Sequence, residues 1–227
     1  MKKSILAVAV ATLFTSHLVV AYDKGDFVVR AGVTRVAPDE ATSNVSVAGG
    51  DLGFGLNISN DTQLGLNVAY FFSNNLNVEV LAATPFTHDV HVNNNPLGLG
   101  KLGEVTHLPP TVTVNYFFNH HTAQFQPYVG AGLNYTFIYD EAFTDSNESL
   151  GFSDLGLDNS FGWSAQVGFD YRLGSKWLIN ASARYIAIST DATFTLNNAA
   201  LGAANAPGSV GVDIDPFVYT VSVGYAF

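Results

Sequence analysis

The sequence predicts an all-β fold, an eight-stranded antiparallel transmembrane up-and-down β-barrel, and three observations carry that prediction. Apolar residues recur with period two rather than 3.6 along most of the chain, which is the mark of strands with two unlike faces. Eight segments show this pattern, and short turns alternate with long connections between them, as in barrels that cross an outer membrane. One face is nearly free of charge and gathers Trp163, Trp177, Tyr185, Tyr219 and Tyr225 near strand ends. A lipid-facing band bordered by aromatic girdles has that composition.

Taken in order, residues 1–21 read as a secretory signal. Lys2 and Lys3 precede an apolar run from Ile5 to Phe14 and a second from Leu18 to Ala21. Val19 and Ala21 fit the small-residue cleavage pattern, which places the cut after Ala21. Thr12, Thr15, Ser16 and His17 interrupt the run, so it falls short of the roughly 20 unbroken apolar residues of a spanning helix. Residues 22–227 then read as a single barrel domain. Strands are expected near 26–36, 63–72, 76–86, 111–118, 126–138, 160–173, 177–189 and 214–227. Most are long enough for a tilted strand to cross hydrocarbon, which takes about 9–11 residues. The clearest is Phe161 to Tyr171: Phe161, Trp163, Ala165, Val167, Phe169 and Tyr171 share one face, and Gly162, Ser164, Gln166, Gly168 and Asp170 the other. The connections 37–62, 87–110, 139–159 and 190–213 are long and are assigned to the cell exterior. The turns 73–75, 119–125 and 174–176 are short, and both termini join them on the periplasmic side.

A soluble eight-stranded barrel of the lipocalin kind would show the same alternation. It would be polar outside and apolar within, and the faces here have the opposite character. The face opposite the aromatic one carries Arg30, Gln63, Asn67, Asn77, Glu79, Asn115, Asn134, Gln166, Asp170, Arg172, Asn180 and Arg184. Polar groups enclosed and apolar groups outside suit lipid, where an open sheet edge would leave backbone groups unpaired and closure is required.

Composition excludes several functions. Nine Lys and Arg stand against 19 Asp and Glu, a formal charge of −10, so the basic footprint of a nucleic-acid binder is missing. The absence of cysteine removes disulfide scaffolds, thiolate metal sites and a cysteine nucleophile. His88, Asp89 and His91 invite a metal reading with His107, but in an extended chain His88 and His91 face opposite ways. No metal and no cofactor is therefore expected. No nucleophile motif stands out, Asp89 with His107 being the least poor acid–base pair, and an enzyme is not expected. Most of the acids lie in the long connections, among them Asp39, Asp51 and Glu141; this rim could hold divalent cations against lipopolysaccharide phosphates.

An eight-stranded barrel is only wide enough for side chains to fill it. Inward small residues such as Gly32, Gly65, Gly130, Gly132 and Gly168 have two readings: they leave volume for a channel, or they let strands approach closely. Lumenal charges should pair: Arg30, Arg172 and Arg184 share the inward face with Glu79 and Asp170, and Arg184 is expected to pair with Glu79 or Asp170. Leu81, Phe117 and Tyr128 share the inward face and, with Arg184, are candidates for a constriction. The long connections are unusually apolar. Leu52, Phe54 and Leu56 in the first and Phe152 and Leu155 in the third are candidates for a hydrophobic mouth, since ligand pockets are mostly apolar.

The sequence also resembles the OmpW family of bacterial outer-membrane proteins over nearly its full mature length. The resemblance rests on Thr62-Gln63-Leu64-Gly65-Leu66, the run Asn77 to Phe86, His107-Leu108-Pro109-Pro110-Thr111, the run Pro127 to Tyr135, Lys176 to Asn180, and the ending from Asp215 through Phe227. Where the family often has Ser-Trp-Gly at the start of the sixth strand, this chain has Ser160-Phe161-Gly162, which keeps the aromatic. The resemblance implies an eight-stranded barrel in the outer membrane, with a narrow, rather apolar channel that passes small hydrophobic compounds. It implies outer-membrane lipids and lipopolysaccharide as surroundings, a small hydrophobic ligand, and Phe227 as the signal read by the barrel-assembly machinery. The alternative is a structural or receptor barrel, serving adhesion or recognised by a bacteriocin or phage, without transport.

Overall fold

A computed structural model describes residues 22–93 and 98–227; the expected signal segment and residues 94–97 lie outside the described residues. Eight strands form the barrel: β1 (Phe27–Ala37), β2 (Asp61–Ser73), β3 (Leu76–Ala83), β4 (Thr111–Phe117), β5 (Phe125–Phe143), β6 (Ser160–Arg172), β7 (Trp177–Ile186) and β8 (Phe217–Ala226). Each pairs antiparallel with its sequence neighbours. β1 pairs with β8 from Val28–Ala226 to Ala37–Phe217, which closes the sheet. No helix among the described residues is long and apolar enough to cross a membrane; the strands do the crossing.

Alternation sets the two surfaces. Leu64, Val112, Phe161, Trp163, Val167, Val221 and Trp177 are exposed outside, while Asn77, Asn115, Gln126, Asp170 and Asn180 are fully buried inside. A soluble protein of this size does not expose so large an apolar belt; acyl chains cover it. The belt ends in rings of aromatics. Phe27 packs on Tyr70 and Trp177 on Tyr225 at the short-turn end, and Trp163 packs on Tyr185 and Tyr135 on Phe137 at the other. The termini lie at the short-turn end: Tyr22 N–H donates to the His121 carbonyl and Phe227 N–H to the Phe27 carbonyl.

The eight expected strands are all present, but the long connections are strands as well. β5 runs 19 residues, to Phe143, and its upper half pairs with Lys101–Leu108, which pairs with Phe86–Val92, which pairs with Leu56–Ile58. A second sheet joins Phe152–Leu157, Ser189–Asn198, Ala203–Asp213 and Ser46–Val47. The third, seventh and eighth strands are shorter than expected. Between Asp213 and Phe217, Asp215 adopts a positive φ of 38° and Pro216 lacks an N–H, so the ladder breaks there.

Above the upper aromatic ring the inward face turns from polar to apolar. In β5, Asn134 and Thr136 face inward below the ring, and Ile138 and Phe143 face inward above it. In Ser189–Asn198 the buried face is Thr190, Ala192, Phe194 and Leu196, while Ser189, Asp191 and Thr193 are exposed. Water replaces lipid outside at this level, so the apolar face must turn in.

Candidate functional site

The lumen has three levels. At the short-turn end Tyr22, Phe71, Phe117 and Tyr128 pack together; the Tyr22 and Phe71 rings stack at 4.3 Å and those of Phe117 and Tyr128 lie 4.9 Å apart. The Arg172 guanidinium sits 4.2 Å over the Tyr22 ring.

Next comes a floor of paired charges. Arg30 on β1 donates through Nη1 to Glu79 at 3.0 Å, and through Nε and Nη2 to both oxygens of Asp170 at 3.2 and 2.7 Å. Arg184 on β7 donates to Glu79 at 2.7 Å and to Gln166 at 2.6 and 3.0 Å. Gln166 donates to Asn115, Asn115 to Asn77, Asn180 to Asp170 and the Tyr128 hydroxyl, and the Tyr22 hydroxyl to Asp170. Two cations and two carboxylates thus cancel within one network that reaches across the barrel from β1 to β3, β6 and β7. None of the four is more than 3% exposed. This floor closes the lumen. Thr34 and Thr220, in mutual hydrogen bond at 3.0 Å, and Asn67, Thr113, Ser164 and Ser222 are buried in the same lumen.

Of the constriction candidates, Phe117 and Tyr128 belong to the aromatic layer and Arg184 to the floor. Leu81 stands apart from both apolar clusters, paired in register with Asn67 and Thr111. Phe117 and Tyr128 thus share one apolar cluster that includes neither Leu81 nor Arg184.

The third level is a cup of about 520 Å³ between the two extracellular sheets. Leu52, Phe54, Leu56, Phe152 and Leu155 all line it, alongside Phe143 and Phe194 from the middle of the cup wall. Its only polar side chains, among the described residues, are His88, His107 and Asn198. His91 is exposed on the far face, as the strand period requires, and Asp89 pairs with Lys101 at 2.8 Å rather than with His107. No group of three or more metal-ligating side chains occurs among the described residues.

His88 and His107 meet on neighbouring strands with rings stacked 4.9 Å apart and Nε2 atoms at 2.9 Å; the Phe86 ring lies beside both, 5.6 Å from His107 and 6.5 Å from His88. In the sequence His107 stands with His88 only as a possible further metal ligand, 19 residues away; the register of Phe86–Val92 on Lys101–Leu108 brings the two rings together. Burial, reinforced by the nearness of His88, pushes His107 down to about 3. Burial also lowers His88, against the opposing pull of its bond to Ser59 and of Asp61 and Asp89. Both imidazoles are thus neutral at neutral pH. An unfolded histidine titrates near 6.5, so the stability of this sheet is complete above that value. It falls as the pH drops toward the folded values, because the opened form binds protons the closed form excludes. At pH 5 the expected loss from His107 alone is about 2 kcal/mol relative to pH 7.5. Amide exchange in 86–92 and 101–108, corrected for intrinsic rates, should speed up accordingly, and the slope should vanish in H88F/H107F.

The wall beside the cup has a discontinuity. The β3–β4 ladder ends at Leu81–Thr111 and pairing resumes above at Phe86–His107, a register offset by one residue. Between these points lie Pro85, Pro109 and Pro110, which have no N–H to donate.

The sequence profile of the OmpW family matches residues 23–227. The chain belongs to the OmpW family. Outer membrane protein W of Vibrio cholerae serotype O1 is 43% identical over the whole of both chains. The crystal structure of outer membrane protein OprG from Pseudomonas aeruginosa superposes with a TM-score of 0.86 at 38% identity, over 92% of this chain and 99% of that one. Outer membrane protein AlkL, solved in DMPC lipid bilayers, gives 0.67 at 26% identity over 100% and 97%. Membership of this family and the exposed apolar belt place the protein in the bacterial outer membrane, with the bilayer as its surroundings.

Proposed function

We propose that the protein takes small hydrophobic compounds from outside the cell into its extracellular cup and passes them through the outer membrane without chemical change. The observation that carries this is the cup itself: an apolar, largely preformed cavity, the usual form of a small-molecule site, held open by two sheets above a sealed floor. An apolar solute gains by leaving water for the cup and meets paired charges beneath it. The break in the wall around Pro85, Pro109 and Pro110 offers a route into the bilayer instead, so the exit in this reading is sideways. In the same reading the acidic rim holds cations against lipopolysaccharide phosphates, and the exposed Phe227 is the signal for the barrel-assembly machinery.

The test compares cells with and without the gene during growth on a hydrophobic and on a polar carbon source supplied at limiting concentration. Growth on the hydrophobic source alone should suffer. Ala192→Trp, which directs an indole from the cavity wall into the cup, should lower uptake of the hydrophobic source about tenfold while leaving the folded barrel in the membrane. Equal growth of wild type and deletion on both sources would remove the proposal.

A further inference from the structure

The hydrogen bonds around the two cup histidines fix which nitrogen carries a proton. The Ser59 carbonyl oxygen, 2.5 Å from His88 Nδ1, can only accept, so His88 Nδ1 is protonated. Neutral His88 then has a bare Nε2 that accepts, and His107 Nε2, 2.9 Å away, must be the donor. Neutral His107 has one proton to place and has placed it there. Its Nδ1 is left as a bare acceptor, and this atom is buried without a hydrogen-bond partner. His107 is 3% exposed and lines the cup. The remaining polar residue of the cup, Asn198, is occupied: its amide donates to the Leu150 carbonyl and its oxygen accepts from Ala200 N–H. One of the residues that line this apolar cavity therefore holds an unmet acceptor.

We propose that His107 Nδ1 is a polar anchor, and that the cup selects hydrophobic compounds bearing a single O–H or N–H donor, such as alcohols and phenols, over molecules of equal size without one. This rests on the reading of the cup as a ligand site and narrows it to a chemical class. A buried acceptor with no partner carries a desolvation penalty, and a ligand donor removes it. A site built to bond an O–H discriminates against the analogue lacking it more sharply than an apolar wall discriminates by size. Carboxylates present only acceptors at neutral pH, and their lone pairs would face that of His107.

The experiment measures binding of 1-naphthol and 1-methoxynaphthalene to the mature barrel in detergent micelles, corrected for the partition of each into empty micelles. The two are similar in shape and differ in the donor. Wild type should prefer 1-naphthol about tenfold, the size expected for one hydrogen bond to a buried group. In H88F/H107F, which removes both the anchor and the His88 nitrogen that its loss would uncover, the ratio should fall to about one. Equal binding of the two probes by wild type overturns the anchor, as does a preference that survives in the double variant; in both cases the cup remains a ligand site. Should neither probe bind wild type, the anchor and the cup fall together. The wild-type comparison is decisive by itself if the double variant does not fold.

Discussion

Arg30→Leu is expected to destabilise the barrel by about 3–5 kcal/mol, the usual consequence of removing one member of a buried ion-pair network. The Arg30 guanidinium is shared between Glu79 and both oxygens of Asp170. Without it Glu79 retains Arg184, at 2.7 Å, but Asp170 keeps only the neutral donors Tyr22 and Asn180. A carboxylate fully buried in the lumen with no counter-charge either takes up a proton or draws water in. Both loosen the floor, so single barrels in planar bilayers should pass more current than wild type. The accompanying change Asp170→Asn restores charge balance, since Arg184 and Glu79 still cancel. R30L/D170N should therefore recover much of the loss, as read by urea unfolding in lipid vesicles. A single variant as stable as wild type, or a double variant no better than the single, would show that the floor is not an electrostatic unit.

Gly132→Val should cost about 3 kcal/mol, at the upper end for overpacking, and should slow insertion into vesicles. A β-carbon on Gly132 would lie 2.0 Å from the Val112 carbonyl oxygen and 2.7 Å from the Thr113 Cα. Both are backbone atoms of β4 and cannot rotate away, so the β4–β5 pairing itself must shift. Gly211→Ala is the control. Its new carbon would meet nothing nearer than 3.4 Å, the Asp191 carboxylate oxygen, and should change stability by no more than about 0.5 kcal/mol. Comparable losses in both would mean that glycine matters here for reasons other than close approach.

These glycines also show where the sequence was ambiguous. Inward small residues fit a channel and fit tight strand contact equally well. At Gly32 and Gly132 the space a side chain would need is already held by a neighbouring strand's backbone, which favours close approach. The mouth residues Leu52, Phe54, Leu56, Phe152 and Leu155 could be picked out because they are apolar in segments otherwise suited to water. That those segments continue as sheets could not be picked out so easily. Bulges between Tyr139 and Ala142 and between Ser153 and Gly156 interrupt the period on which strand recognition depends.

From the sequence alone came the strand count, the closure and which face meets lipid, because alternation is a local property and each residue carries its own preference for water or hydrocarbon. Only the folded chain decided which charges pair, that the lumen is shut at its floor, and that His88 meets His107. Those contacts join residues as far apart as Arg30 and Asp170, and strand register, not any nearby residue, sets them.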